Sequence, residues 1–100
     1  MEINIKTKNI ELNEAIRSYI NDRIGGLEKF LQGIEPLIVE VDIGRTTEHH
    51  HKGDIFRAEV QIEVPGKLLR AESSKNDLRK AIVDVKKQLK IQIEKYRGKA

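Results

Sequence analysis

The chain has 100 residues, 35% of them charged, a formal charge of +3 and no cysteine. That length fits a single domain, expected over residues 1–100, that can bury a core without staples; the missing thiols exclude disulfides, zinc–thiolate sites and cysteine nucleophiles. No apolar run approaches the roughly 20 residues that span a bilayer, and the opening MEINIKTKNI alternates where a signal peptide would be continuously apolar, so a soluble, cytoplasmic protein is expected.

Glu2 to Thr7 places Ile3 and Ile5 on one side of an alternating run, the pattern of a half-buried strand. From the capping residue Asn13, apolar side chains recur at Ile16, Tyr19 or Ile20, Ile24, Leu27 and Leu31, predicting a helix that ends near Gly33, before Pro36. Gly25 and Gly26 each cost about 1 kcal/mol of helix propensity relative to alanine, which invites a kink or a loosened turn between them. Ile38 to Arg45 alternates again, with Val39, Val41 and Ile43 opposed by Glu40 and Asp42. Phe56, Ala58, Val60, Ile62 and Val64 form a longer set, opposed by Arg57, Glu59, Gln61 and Glu63. Pro65-Gly66 signals a turn, and Lys67 to Glu72 reads as the hairpin partner. SSKND opens the final helix, with Ser74 and Asp77 placed as a capping pair and an apolar stripe of Leu78, Ile82, Val85, Leu89, Ile93 and Tyr96.

The order is therefore β-α-β-β-β-α, and each element has one apolar face to bury. The expected fold is α+β in two layers: a four-stranded mixed sheet with both helices on one face. A right-handed crossover makes the first strand pair parallel if the two are neighbours, and hairpins make the rest antiparallel.

Charge is unevenly distributed. Residues 1–75 hold 11 Lys/Arg against 13 Asp/Glu, whereas residues 76–100 hold 8 against 3. Such asymmetry suggests a polyanionic partner, RNA, DNA or an anionic membrane, with a solvated basic helix face as the plainer reading. At 100° per residue Arg79, Lys86, Lys90 and Arg97 each fall one residue beyond a stripe member, on a flank roughly 27 Å long, with Lys80 and Lys87 near it. A rail of this kind suits phosphate oxygens. Readers of single strands instead carry aromatics on an open sheet face, where this chain has Glu40, Asp42, Glu59 and Glu63. Structured RNA along the helix is the better fit.

The stretch TTEHHHKGD offers the residues closest to a metal or catalytic motif. Extended backbone would set His49 and His51 roughly 6.5 to 7 Å apart with His50 opposed, a poor bracket for a metal without thiolate help. Nothing pairs the histidines with a nucleophile or an orienting carboxylate, and no phosphate loop or dinucleotide fingerprint is present. The expectation is a non-enzymatic protein without metal or cofactor and without a small-molecule substrate. A metal-dependent enzyme built on the histidines, and a protein- or RNA-binding module that associates through an open sheet edge, are the competing readings.

MEINIKTKNIELNEAIRSYINDRIGGLEKF, then HHHKGDIFRAEVQIEVPGKLLRAE, then NDLRKAIVDVKKQLKIQIEKY together resemble the family of ribosome hibernation promoting factors and ribosome-associated inhibitors, also called sigma-54 modulation or ribosomal subunit interface proteins. The resemblance covers nearly the whole chain. It implies a fold akin to a double-stranded-RNA-binding domain, and a factor that occupies the mRNA and tRNA channel of the small ribosomal subunit at the decoding region. Such a factor inhibits translation under stress or in stationary phase. By the same resemblance Lys86, Lys87, Lys90, Lys95 and Arg97 match the basic helix that meets ribosomal RNA, and Lys67 and Arg70 match the strand beside it. His49, His50, His51 and Lys52 match the loop between the second and third strands, read as within reach of RNA and not as a catalytic centre. Protonation of the three imidazoles below about pH 6.5 would add charge there. The chain departs from the family pattern at Arg79, Val83, Gln88 and Ile91, where an aromatic, an acid and two basic residues are common. The family's long form adds a dimerising domain after the point where this chain stops, so a short form or a trimmed chain is expected; if short, ribosome dimerisation would need a second factor.

Overall fold

The computed structural model describes residues 1–47 and 53–98. Four strands, β1 (Ile3–Lys8), β2 (Ile38–Thr47), β3 (Asp54–Val64) and β4 (Lys67–Lys75), form one sheet in that spatial order. Two helices, α1 (Glu14–Gly25) and α2 (Leu78–Tyr96), cover one face of it. β1 runs parallel to β2, with Ile3 beside Val39 and Ile5 beside Val41. The other two pairings are antiparallel. The β-α-β-β-β-α order and the two-layer α+β architecture are those the hydrophobic periods predict.

The core forms where the apolar faces meet. Val39, Val41, Ile43, Ala58, Val60, Ile62, Val64, Leu69 and Ala71 come from the sheet, Ile20 and Ile24 from α1, and Leu78, Ala81, Ile82, Val85, Leu89 and Ile93 from α2. Full burial of each Leu, Ile or Val stabilises by about 1.5–3 kcal/mol, so these strips decide which face of every element turns inward.

Element ends depart from the sequence pattern in two places. α1 stops at Gly25 and gives way to a 3-10 turn over Gly26–Phe30, so the α-helix does not reach Gly33. The two glycines weaken the helix there, and a Cβ on Gly26 would lie 3.1 Å from the Lys86 Nζ. Ser74 is a strand residue and not half of a capping pair: β4 runs on to Lys75 because Ser74 and Lys75 find ladder partners in Arg57 and Phe56. Asp77 caps α2 alone, its Oδ1 accepting from the Arg79 N–H at 2.8 Å. At the other end of α2 the Tyr96 hydroxyl donates to the Pro65 carbonyl at 2.8 Å, tying the helix to the β3–β4 turn. Gly66 in that turn has φ 78°, the left-handed value that glycine adopts without a Cβ penalty.

Candidate nucleic-acid interface

The basic flank of α2 faces the first helical segment and the residues just after it, and each of its four cations meets a different residue there. The Arg79 guanidinium lies 5.4 Å from the centroid of the Tyr19 ring, and the Lys90 ammonium 5.1 Å from that of Phe30. Between them Lys86, half-buried, passes Gly26 in the space a side chain would have filled. Arg97 Nη1 donates to the Gln32 carbonyl at 3.1 Å. The rail is thus one wall of a groove whose other wall is α1, the 3-10 turn and the residues just after it.

Each aromatic ring in this groove also carries a cation from its own segment. Arg23 lies 5.1 Å from the Tyr19 centroid and Lys29 lies 5.2 Å from that of Phe30. The negative faces of the rings attract all four cations, by about 0.5–1 kcal/mol each at exposed sites, and so offset the repulsion of drawing like charges together. Arg79, Lys90 and Arg97 remain exposed. Their charges are held in place yet open to an anion, and six cations (Arg23, Lys29, Arg79, Lys86, Lys90 and Arg97) line one groove.

Of the other site residues expected from sequence, Lys87 lies beside the groove: with Tyr19 and Arg79 it lines a shallow hollow of about 390 Å³ that Lys75, Lys80, Val83 and Asp84 complete. The other described ones lie apart from it. Lys95 is exposed and lies roughly 140° around the helix from Lys90. Lys67 is exposed at the start of β4. Arg70 points to the opposite sheet face, into an ion cluster with Glu59, Glu72 (3.3 Å) and, through the shared carboxylates, Arg57. His49, His50, His51 and Lys52 lie outside the described residues.

That open sheet face is ion-paired rather than cationic. Lys6 lies 3.9 Å from Glu40, and Glu59 and Glu72 engage Arg57 and Arg70. Among the described residues no group of three His, Asp or Glu side chains is placed to hold a metal ion. Sequence reasoning missed Tyr19, Arg23, Lys29 and Phe30 as parts of the site. The spacing of Tyr19 and Arg23, one helical turn apart, hints at their pairing, but nothing local indicates that α2 closes over them.

Fold and groove together define a class of protein: small two-layer α+β domains of β-α-β-β-β-α order that hold a basic helix against a shorter one, behind an ion-paired sheet. Residues 3–100 match the model of the Sigma 54 modulation protein / S30EA ribosomal protein family, and the chain belongs to that family. A ribosome hibernation promotion factor of Lactococcus lactis subsp. cremoris is 33% identical over 99 residues, covering 97% of this chain and 50% of the relative. One from Deinococcus radiodurans is 27% identical over 90 residues, covering 90% of this chain and 46% of the relative. The chain therefore spans about half the length of these curated relatives. The crystal structure of the Thermus thermophilus Protein Y N-terminal domain superposes with a TM-score of 0.81 at 28% identity, over 97% of this chain and all of that one. A ribosomal subunit interface protein from Coxiella burnetii shares the fold, with a TM-score of 0.69 at 18% identity over 98% of this chain and 99% of that one. Among the described residues no helix is long and apolar enough to cross a membrane.

Proposed function

We propose that the chain is a cytoplasmic ribosome hibernation factor, a non-enzymatic translation inhibitor that binds the small ribosomal subunit in the mRNA and tRNA channel at the decoding region. The observation that carries this reading is the cation-lined groove beside α2, in which Arg79 and Lys90 lie over the Tyr19 and Phe30 rings, Arg97 bonds to the Gln32 carbonyl and Lys86 passes Gly26. Positioned cations neutralise backbone phosphates without reading bases, and they suit folded RNA better than unstacked strands. Lys87 and Lys95 extend the positive field around the helix, and Lys67 and Arg70 are peripheral in this reading. Family membership and the naming of the relatives support the assignment. The rival reading, association through an open sheet edge, is disfavoured at β4, where side chains of α2 already occupy backbone groups of Arg70 and Glu72.

The test is binding to purified small ribosomal subunits between about 50 and 300 mM salt, with the unmodified chain set against Lys86→Glu/Lys87→Glu/Lys90→Glu. Tight binding that weakens with salt and is lost in the triple variant supports the reading. Equal, weak binding by both proteins overturns it.

A further inference from the structure

β4 is an edge strand, paired with β3 on one side only, and such an edge offers unpaired N–H and C=O groups to any other strand. In this chain two glutamines on successive turns of α2 reach over that edge. Gln92 Oε1 accepts from the Arg70 N–H at 3.1 Å while its Nε2 donates to the Arg70 carbonyl at 2.8 Å. Gln88 Nε2 donates to the Glu72 carbonyl at 3.2 Å and also lies 3.4 Å from Asp84 Oδ2.

The carboxamide of Gln92 thus presents one acceptor and one donor to Arg70, the same pair that a neighbouring strand would present. The spacing agrees: four helical residues rise about 6 Å, and two strand residues advance about 6.8 Å. Since both Arg70 backbone groups turn away from β3, Arg70 and Glu72 belong to the outward-facing set of the strand.

We propose that Gln88 and Gln92 form a lock on the β4 edge that keeps the chain monomeric, and that opening it lets β4 pair antiparallel with β4 of a second copy. The charge pattern selects a second copy as the occupant. With the two-fold axis at Ala71, Arg70 of each chain lies opposite Glu72 of the other, and the half-exposed Leu68 lies opposite Ser74. Opposite charges directly across a strand pair are favourable, and a register slip of one residue would break both pairs. A symmetric pairing of this kind closes as a dimer.

Sedimentation equilibrium of the full chain tests the lock. The unmodified protein is expected to be a monomer and Gln88→Ala/Gln92→Ala a reversible dimer. Adding Arg70→Glu should return that variant to a monomer, and adding Glu72→Arg as well should restore the dimer. A folded double variant that stays monomeric, or a dimer indifferent to Arg70→Glu, overturns the proposal. Hydrogen exchange on the unmodified chain covers the case in which the double variant does not fold. The Arg70 amide should exchange at least roughly tenfold more slowly than an unbonded edge amide, and exchange at the unbonded rate rules the lock out.

Discussion

The Lys90 ammonium stands 5.1 Å from the centre of the Phe30 ring, and Lys29 approaches the same ring at 5.2 Å from the other helical segment. One ring therefore holds two like charges from opposite walls of a groove. Tyr19 does the same for Arg23 and Arg79. The rings act as positioning groups for the cations that the proposed function uses.

Replacing both rings with leucine keeps apolar bulk and removes the quadrupole. Tyr19→Leu/Phe30→Leu is expected to weaken binding to small ribosomal subunits about 5- to 30-fold, since Arg79 and Lys90 each lose a cation–π contact worth about 0.5–1 kcal/mol. Tyr19→Phe should bind like the unmodified chain, because the ring and not the hydroxyl holds Arg79. Filter binding at fixed salt distinguishes the two.

Position around the sheet should decide which cations matter. Lys90→Ala is expected to lower the slope of log K against log salt by roughly one phosphate's worth, about 0.7 to 0.9. Arg70→Ala should leave the slope unchanged, because that side chain lies on the opposite face within the Glu59 and Glu72 cluster. Equal slope changes in the two variants would contradict the groove.

Two glycines should respond in opposite directions. Gly26 has φ −63°, and the only atoms near a new Cβ are the flexible end of Lys86. Gly26→Ala is therefore expected to raise stability by about 0.4–1 kcal/mol as the lysine swings aside. At Gly66, with φ 78°, the same change forces a strained backbone and should cost about 1 kcal/mol or more. Urea denaturation of both variants reads the difference in sign.

Capping at the start of α2 can be apportioned in the same way. Asp77→Ala removes the acceptor for the Arg79 N–H and is expected to destabilise by about 1 kcal/mol. Ser74→Ala should change stability by less than about 0.5 kcal/mol, as for an exposed strand position away from a cap.

Some of this was legible in the sequence by itself. The direction of a side chain is set by backbone geometry over a few residues, so alternation in β2 and β3 and the stripe from Leu78 to Tyr96 were enough to determine the elements, their inward faces and the two-layer architecture. The same periodicity placed Arg79, Lys86, Lys90 and Arg97 on one flank. Element ends were less legible because they answer to partners elsewhere: β4 continues past Glu72 because β3 offers Arg57 and Phe56, which removes Ser74 from the cap.

Only the tertiary structure decided what that flank faces. The Arg97–Gln32 bond joins residues 65 apart in the chain, and the approach of Lys90 to Phe30 depends on how two helices settle over a shared core. Arg70 shows the same limit from the other side. Its sequence position is near the basic helix, yet its side chain is separated from the groove by the sheet, while its backbone is held by Gln92. Local pattern determines which way each element turns its faces. Long-range packing determines which faces become neighbours, because that choice rests on burying all the apolar strips at once.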